Sequence, residues 1–382
     1  MTTSLSNNKR IAKNTIFLYL RMAITLIVQF YTSRVVLDIL GVDDYGLWNV
    51  IASFITTFAF ISGPLTTATQ RFLNYEIGCK GEKLERIFSS SIIIFIILGV
   101  ILFFFLEFIG IWFINTKLNV DSGKIFVANW VFQLSTLGFC VNFIRLPYES
   151  SVIAEERMSF YAVLCILEAL LSLGFVYLLN YPIKVEKLIM YGGLTLLSKI
   201  ILFFCYKLYC NKKISYTKFK FIYDKKLLID MGQFAGWNTF GALASSSATQ
   251  GINILINMFF GVAVNAAYGL ASQVGAGVKA FVNNFQKAVN PQIVKSFASG
   301  DYSYMQNLIM VTGKFSFILL FALSLPIMFN MEFILKIWLG EIVPPYTVIF
   351  CNLMLIQMLV VCFGDPIDVA IFATGKIKKY QI

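Results

Sequence analysis

Basic side chains lie inside long apolar segments, where a charge is costly and normally faces a partner or a watery cavity. Arg21, Arg34 and Lys279 are of this kind. In a medium of low dielectric, cations attract anions strongly, and arginine can bind a phosphate through two hydrogen bonds. These residues therefore indicate a site for an anionic ligand, and phosphate or diphosphate fits it best.

Polar side chains also follow one face of several apolar segments. Lys279, Asn283 and Gln286 recur at three- and four-residue steps, which places them on one side of a helix. Interhelical hydrogen bonding is the alternative role for the smaller polar residues. Amides can bind the hydroxyl groups of sugars, so the stripes favour a ligand that carries both phosphate and sugar. The predicted substrate-binding residues are Arg21, Arg34, Lys279, Asn283, Gln286, Asn253, Arg71 and Asn74.

Acidic residues in the same segments are candidates for an ion or proton site. Asp38 follows Arg34 by four residues, so the two can also form a local ion pair on one helix face. Glu168 could equally be the buried partner of a cation. We predict ion coupling at Asp38 and Glu168. For Lys199 we expect a position near a helix end, from which the amine reaches the membrane surface.

Other kinds of chemistry have little support in the sequence. The chain has no histidine, and its seven cysteines lie mostly in or beside apolar segments without a C-x-x-C pair. These facts disfavour histidine-based catalysis, a zinc site and a disulfide framework. A G-x-x-x-x-G-K-[ST] phosphate loop is also absent. We therefore expect no cofactor, no metal and no enzymatic activity.

Long apolar segments must position these residues, and each is long enough to cross a bilayer, which takes about 20 helical residues. With 58% hydrophobic and 13% charged residues, the chain is far less charged than a soluble domain, of which about a quarter is charged. The predicted fold class is an all-α, polytopic membrane helix bundle. In the last segment, Asp365 and Asp368 flank Pro366, where we expect a break. The ten segments are 12–38, 45–70, 87–115, 124–147, 158–180, 185–209, 230–258, 262–290, 307–330 and 345–374.

Lysine and arginine predict the orientation, because they remain on the cytoplasmic side of short loops. With the N-terminus inside, 21 of them lie on the cytoplasmic side, Arg145 included, and five on the other. Both termini are then cytoplasmic. The basic residues are spread over six loops, which argues against a nucleic-acid partner. The basic and aromatic connector 209–230 suits a segment that lies on anionic membrane lipids, and a solvated linker is the alternative.

An internal repeat predicts two related halves. The turn from Leu40 to Leu47 matches the turn from Phe260 to Leu270, and Gly41 and Gly261 are 220 residues apart. Six segments separate the matched points, so the halves are parallel and related by a pseudo-twofold axis along the membrane normal. We expect a six-helix lobe at 1–216 and a lobe of four helices at 217–382. The second lobe would then lack two helices, as in a truncated chain.

Several short motifs carry a resemblance to a known family. They are Asn14-Thr-Ile-Phe, Tyr31-Thr-Ser-Arg34, Leu40-Gly-Val-Asp-Asp-Tyr-Gly46, Ala68-Thr-Gln-Arg-Phe-Leu-Asn74, Asn290-Pro291 and Ala373-Thr-Gly375. In these residues the chain resembles Wzx-type O-antigen and polysaccharide flippases of the multidrug/oligosaccharidyl-lipid/polysaccharide (MOP) exporter superfamily.

The resemblance implies twelve helices and alternating access between two six-helix lobes. It also implies a location in the bacterial cytoplasmic membrane and a substrate, undecaprenyl-diphosphate-linked oligosaccharide, that moves from the inner to the outer leaflet. A polysaccharide polymerase and a chain-length regulator are the expected protein partners. The ten predicted segments are two fewer than the twelve helices that this pattern implies, so we expect the last pair to be missing.

Two alternatives remain open. An ion-coupled multidrug exporter of the same superfamily would need embedded carboxylates in its first lobe, where this chain offers basic residues. A membrane glycosyltransferase or polymerase would be expected to have a large extracytoplasmic loop with paired acids, but the longest loops here are on the predicted cytoplasmic side.

Overall fold

The computed structural model describes residues 2–116, 122–181, 186–222, 224–339 and 344–381. Within these ranges, the side chains of 2–9, 30, 42–43, 122, 246, 249–250, 253–254, 257–258, 261–263, 265–266 and 339 are outside the description. The described residues form helices and connecting loops and contain no β-strand. The all-α fold class is therefore confirmed.

Twelve α-helices cover most of the described chain. They are α1 (Thr2–Thr57), α2 (Ser62–Gly78), α3 (Leu84–Thr116), α4 (Ile125–Ala154), α5 (Met158–Leu178), α6 (Lys187–Lys213), α7 (Lys225–Ala298), α8 (Tyr302–Phe329), α9 (Met331–Leu339), α10 (Thr347–Val361), α11 (Gly364–Thr374) and α12 (Lys378–Gln381). Gly41 interrupts α1 with φ 79° and ψ 172°, a conformation that favours glycine because it has no Cβ. The turn predicted there is confirmed.

Seven helices in the described ranges are long and apolar enough to cross a membrane. The pair α10 and α11, which is bent by 44°, brings the number to eight if the two helices cross the membrane as one span. The bend falls at Cys362 and Phe363, three residues before Pro366, and is therefore close to the position that the sequence predicted. Ten spans were predicted, and the two at 230–258 and 262–290 lie within α7. The seven are Arg10–Gly41, Asp44–Gly78, Leu84–Thr116, Ile125–Ala154, Met158–Leu178, Lys187–Lys213 and Tyr302–Phe329.

The second turn of the predicted repeat, at Gly261, falls on residues outside the described side chains. The duplication therefore stays a prediction.

The chain forms two compact units, and most of each is one continuous part of the chain. The N-terminal unit consists of Ile16–Leu73 and Gly81–Gly236, and the C-terminal unit consists of Met1–Thr15, Asn74–Lys80 and Trp237–Ile382. Segments at the start of α1 and the end of α2 thus belong to the C-terminal unit. The predicted division at 216/217 stays a prediction.

Each unit has its own apolar core. In the N-terminal unit, Leu106 and Leu188 are fully buried and Phe132 nearly so. In the C-terminal unit, Val282 and Leu335 are fully buried in a core built from α7 to α10. Buried side chains of this size hold the helices in fixed positions, so each unit can position polar groups of its own.

Candidate functional site

Three helices of the N-terminal unit are joined by a cluster of charged side chains. Glu168 of α5 binds Lys199 of α6, with Oε1 and Nζ 2.5 Å apart. The other carboxylate oxygen lies 3.5 Å from Arg145 of α4. Arg145 is only 9% exposed and also lies 3.5 Å from Glu149, one turn further along α4. The cluster therefore ties α4, α5 and α6 together.

Arg21 of α1 approaches the same region from another side. Its Nη1 donates to the hydroxyl of Tyr161 at 3.2 Å and lies 3.8 Å from the sulfur of Cys165. The guanidinium carbon is 5.2 Å from the centre of the Tyr161 ring, within the range of a cation–π contact. These contacts hold the guanidinium in a fixed orientation.

A cavity of about 470 Å³ lies between α1, α5 and α6, and we call it the polar cavity. Its volume is within the range of about 300–1,000 Å³ for small-molecule sites. Its charged lining residues are Arg21, Lys199 and Glu168, so cations outnumber carboxylates two to one. The uncharged polar residues of the lining are Thr25, Gln29, Thr32, Ser33, Tyr45, Asn49, Ser172, Tyr191, Thr195 and Ser198. The polar cavity can thus bind an anion together with groups that donate and accept hydrogen bonds.

Other residues predicted for the N-terminal part lie outside the polar cavity. Arg34 and Asp38 are both exposed, and the described contacts include no ion pair between them. Spacing of four on a helix permits such a pair but does not require it. Arg71 lies with its guanidinium carbon 5.6 Å from the ring centre of Phe234. Roles of Arg34, Asp38 and Arg71 in binding or coupling stay predictions.

Polar residues of the C-terminal unit form a separate group at the break between α10 and α11. Lys279 Nζ is 3.9 Å from Asp365 Oδ1. Gln286 Nε2 lies 3.3 Å from both Asp365 Oδ2 and Ser316 Oγ. Three predicted elements, the Lys279 face, the Gln286 position and the acidic break, are therefore brought together in space.

The remaining predicted residues of this unit are not in that group. Asn283 is exposed, and Asn74 is 4% exposed. Asn253 lies outside the described side chains.

Sequence reasoning misplaced two cations of the site. Lys199 was expected near a helix end, but it lies twelve residues into α6, about 18 Å along the axis. Arg145 was counted on the cytoplasmic side because it lies near the end of the predicted segment 124–147, whereas α4 continues for nine further residues to Ala154. Glu149, four residues after Arg145, is the signal that could have shown a paired, helical arginine.

The described residues include no group of three or more His, Cys, Asp or Glu side chains placed to hold a metal ion.

Comparison with known sequences shows similarity over only part of the chain. No protein-family model matches the chain. One curated relative, a protein of Yersinia pseudotuberculosis whose name proposes a role in O-antigen export, is 28% identical over 124 residues. The match covers 30% of this chain and 28% of that relative, so the matched region spans well under half of either protein.

Comparison with solved structures gives a relation over nearly the whole chain. A MATE protein in its straight conformation is similar with a TM-score of 0.81 at 13% identity, over 98% of this chain and 84% of that one. A MOP superfamily transporter from Pyrococcus furiosus, described as having a binding pocket of reverse polarity, gives 0.79 at 14% identity over 98% and 84%. A Vibrio cholerae MATE transporter gives 0.79 at 14% identity over 99% and 88%.

The apolar helices and these similarities make the chain a multi-pass membrane protein. It has the fold of the MATE transporters, and the resemblance to the MOP exporter superfamily is thereby confirmed at the level of the fold.

Proposed function

We propose that this chain is a transporter that moves an undecaprenyl-diphosphate-linked oligosaccharide repeat unit across the bacterial cytoplasmic membrane by alternating access. The transported repeat unit would be used in the synthesis of O-antigen, capsule or exopolysaccharide. One observation carries the proposal: the polar cavity is lined by Arg21 and Lys199 against the single carboxylate of Glu168, and otherwise by hydroxyl and amide groups.

The chemistry of the cavity suits each part of such a substrate. A diphosphate is attracted by cations in a medium of low dielectric, and an arginine can bind it through two hydrogen bonds. The hydroxyls of sugars can bond to Gln29, Asn49 and Ser172. The polyprenyl tail needs no polar site and can remain in the bilayer.

The name of one relative points to the same class of substrate, and the description of one structural neighbour concerns the charge of its pocket. The name of the Yersinia protein proposes O-antigen export. The Pyrococcus transporter is described as having reverse polarity in its binding pocket and a suggested different function. A polar cavity with more cations than carboxylates is consistent with a ligand opposite in charge to a cationic drug.

A multidrug exporter is the second candidate, since the MATE fold is shared and Glu168 is an embedded carboxylate of the first unit. Glu168, however, binds two cations, Lys199 and Arg145. Its negative charge is thus largely neutralised and would attract a cationic drug or a coupling ion only weakly. We keep ion coupling at Glu168 as part of the proposal, since an opening of the cluster would expose its carboxylate. Asp38, which is already exposed, also stays in the proposal.

Further binding residues are proposed outside the polar cavity. They are Arg34, Arg71, Asn74, Asn253, Lys279, Asn283 and Gln286. For Lys279 the proposal must include Asp365, because their proximity reduces the charge that the amine offers to a substrate. A polysaccharide polymerase and a chain-length regulator are the proposed protein partners.

A deletion experiment separates the two candidate functions. We expect cells without the gene to lose surface polysaccharide and to accumulate the lipid-linked repeat unit, because the unit is made but not moved. Plasmid expression should restore the surface polysaccharide, as measured by glycan gels. It should also remove the accumulated lipid-linked unit, as measured by mass spectrometry of extracted lipids. Normal polysaccharide together with increased sensitivity to cationic drugs would contradict the proposal and support the multidrug candidate.

The proposed orientation places both termini in the cytoplasm, and two exposed lysines test it. Lys336→Cys should react with a membrane-impermeant thiol reagent in intact cells, and Lys218→Cys should react only after lysis, because the positive-inside rule places them on opposite faces. Native Cys79, which is exposed, lies on the predicted cytoplasmic side and should be protected. Labelling in the reverse pattern would overturn the orientation.

A further inference from the structure

A second cavity, of about 350 Å³, adjoins the polar cavity within the N-terminal unit. Trp48, Thr195 and Lys199 line both cavities, so the two share a wall. Its aromatic lining residues are Trp48, Phe139 and Phe143, and we call it the aromatic chamber. A ligand large enough to occupy both spaces would pass Lys199 on the way.

The aromatic side chains of this chamber are held in place by their neighbours. The rings of Phe139 and Phe143 are stacked, with centres 5.9 Å apart. The ring of Trp48 makes an edge-on contact with the ring of Tyr191, and the ring centres are 4.6 Å apart. Phe143 is itself almost fully buried, so Trp48 and Phe139 are the rings that can present an apolar surface to a ligand. Such a surface suits the C–H face of a sugar ring, because one face of the ring is apolar while its hydroxyls point outward.

Two residues of the chamber lining carry buried polar atoms that have no hydrogen bond to protein. Asn142 Oδ1 and Ser135 Oγ, both from α4, are buried, and neither has a hydrogen-bond partner among the described residues. Buried polar atoms are nearly always bonded, so each exception requires an explanation. A hydrocarbon tail in the chamber would leave both atoms unsatisfied, at a cost in free energy. The hydroxyl groups of a sugar would satisfy them.

We propose that the aromatic chamber is a saccharide subsite that holds the second sugar ring of a diphosphate-linked oligosaccharide. The diphosphate and the first sugar occupy the polar cavity, near Arg21 and Lys199. This inference rests on the proposed function and adds to it the place of the glycan. It also explains why aromatic rings and orphaned acceptors occur together beside the cationic cavity.

The experiment uses the full chain in lipid nanodiscs and three soluble probes. They are citronellyl diphosphate, citronellyl diphosphate carrying N-acetylglucosamine, and the same carrier with N,N′-diacetylchitobiose. By titration calorimetry we expect the disaccharide probe to bind about tenfold more tightly than the monosaccharide probe, because it alone reaches the chamber. Asn142→Leu should remove that difference. Asn129→Leu, on the same helix but outside both cavities, should retain it.

Each other outcome overturns something specific. Equal affinities of the two saccharide probes, or a difference that survives Asn142→Leu, contradicts the subsite. Tighter binding of citronellyl diphosphate to Asn142→Leu would show that the chamber holds hydrocarbon. If none of the probes binds, the proposed function itself fails. Should Asn142→Leu not fold, Ser135→Ala removes the second orphaned group and is expected to reduce the difference in the same way.

Discussion

Arg21→Glu is expected to abolish export of the oligosaccharide, whereas Arg21→Lys should retain part of it. The charged lining of the polar cavity would change from two cations and one carboxylate to one cation and two carboxylates. A hydrogen bond to a charged group contributes about 1.5–3 kcal/mol, so the loss of one alone weakens binding by about tenfold or more. Repulsion from the new carboxylate adds to this loss. Lysine keeps the charge but not the two-pronged geometry.

The measurement is surface polysaccharide in a deletion strain that expresses each variant at equal membrane abundance. Arg86→Glu is the matched control, because Arg86 is an exposed arginine at the start of α3. It makes the same change in total charge away from the cavity and should export normally. Export by Arg21→Glu at the level of the Arg86 control would show that Arg21 does not contact the substrate.

Glu168→Gln is expected to destabilise the N-terminal unit strongly. The change leaves Lys199 and Arg145 without the carboxylate that they share. The expected cost lies between about 1 kcal/mol for an exposed pair and about 3–5 kcal/mol for a buried pair that loses one partner, because the cluster is only partly exposed. The midpoint of thermal unfolding in nanodiscs should therefore fall by several degrees.

Glu107→Gln is the control for this variant. Glu107 accepts a hydrogen bond from the neutral amide of Gln133, and the described contacts include no cation beside it. The midpoint of thermal unfolding should therefore fall less in Glu107→Gln than in Glu168→Gln. An unchanged midpoint in Glu168→Gln, together with transport that no longer depends on an ion gradient, would contradict the structural role. Glu168 would then be a coupling site.

Local patterns predicted much of this fold. The long apolar runs predicted the membrane helices, because each run is itself the length of a span. The positive φ of Gly41 agrees with the turn that the glycine indicated. The acidic and proline-containing sequence around Pro366 marked the break between α10 and α11. In each case the signal and the structure involve the same few residues.

The candidate site was predicted less well, because its partners come from different helices. Arg34 and Asp38 have the spacing of a helical pair but do not form one, whereas Glu168 binds Lys199, 31 residues away. Sequence spacing shows which side chains share a helix face, but the partner across a helix interface depends on tertiary packing. Lys199 lies in the middle of α6, where its amine binds Glu168 of α5 instead of reaching the membrane surface, so its assignment to a helix end was wrong.

Transport by the purified chain tests the central claim most directly. The protein is placed in liposomes with a fluorescent undecaprenyl-diphosphate oligosaccharide, and dithionite then quenches the label that remains in the outer leaflet. We expect the fraction of label that is protected from dithionite to change with time in the presence of the protein. That fraction should remain constant with Arg21→Glu, and ethidium should not affect it. Accumulation of ethidium without movement of the oligosaccharide would contradict the account.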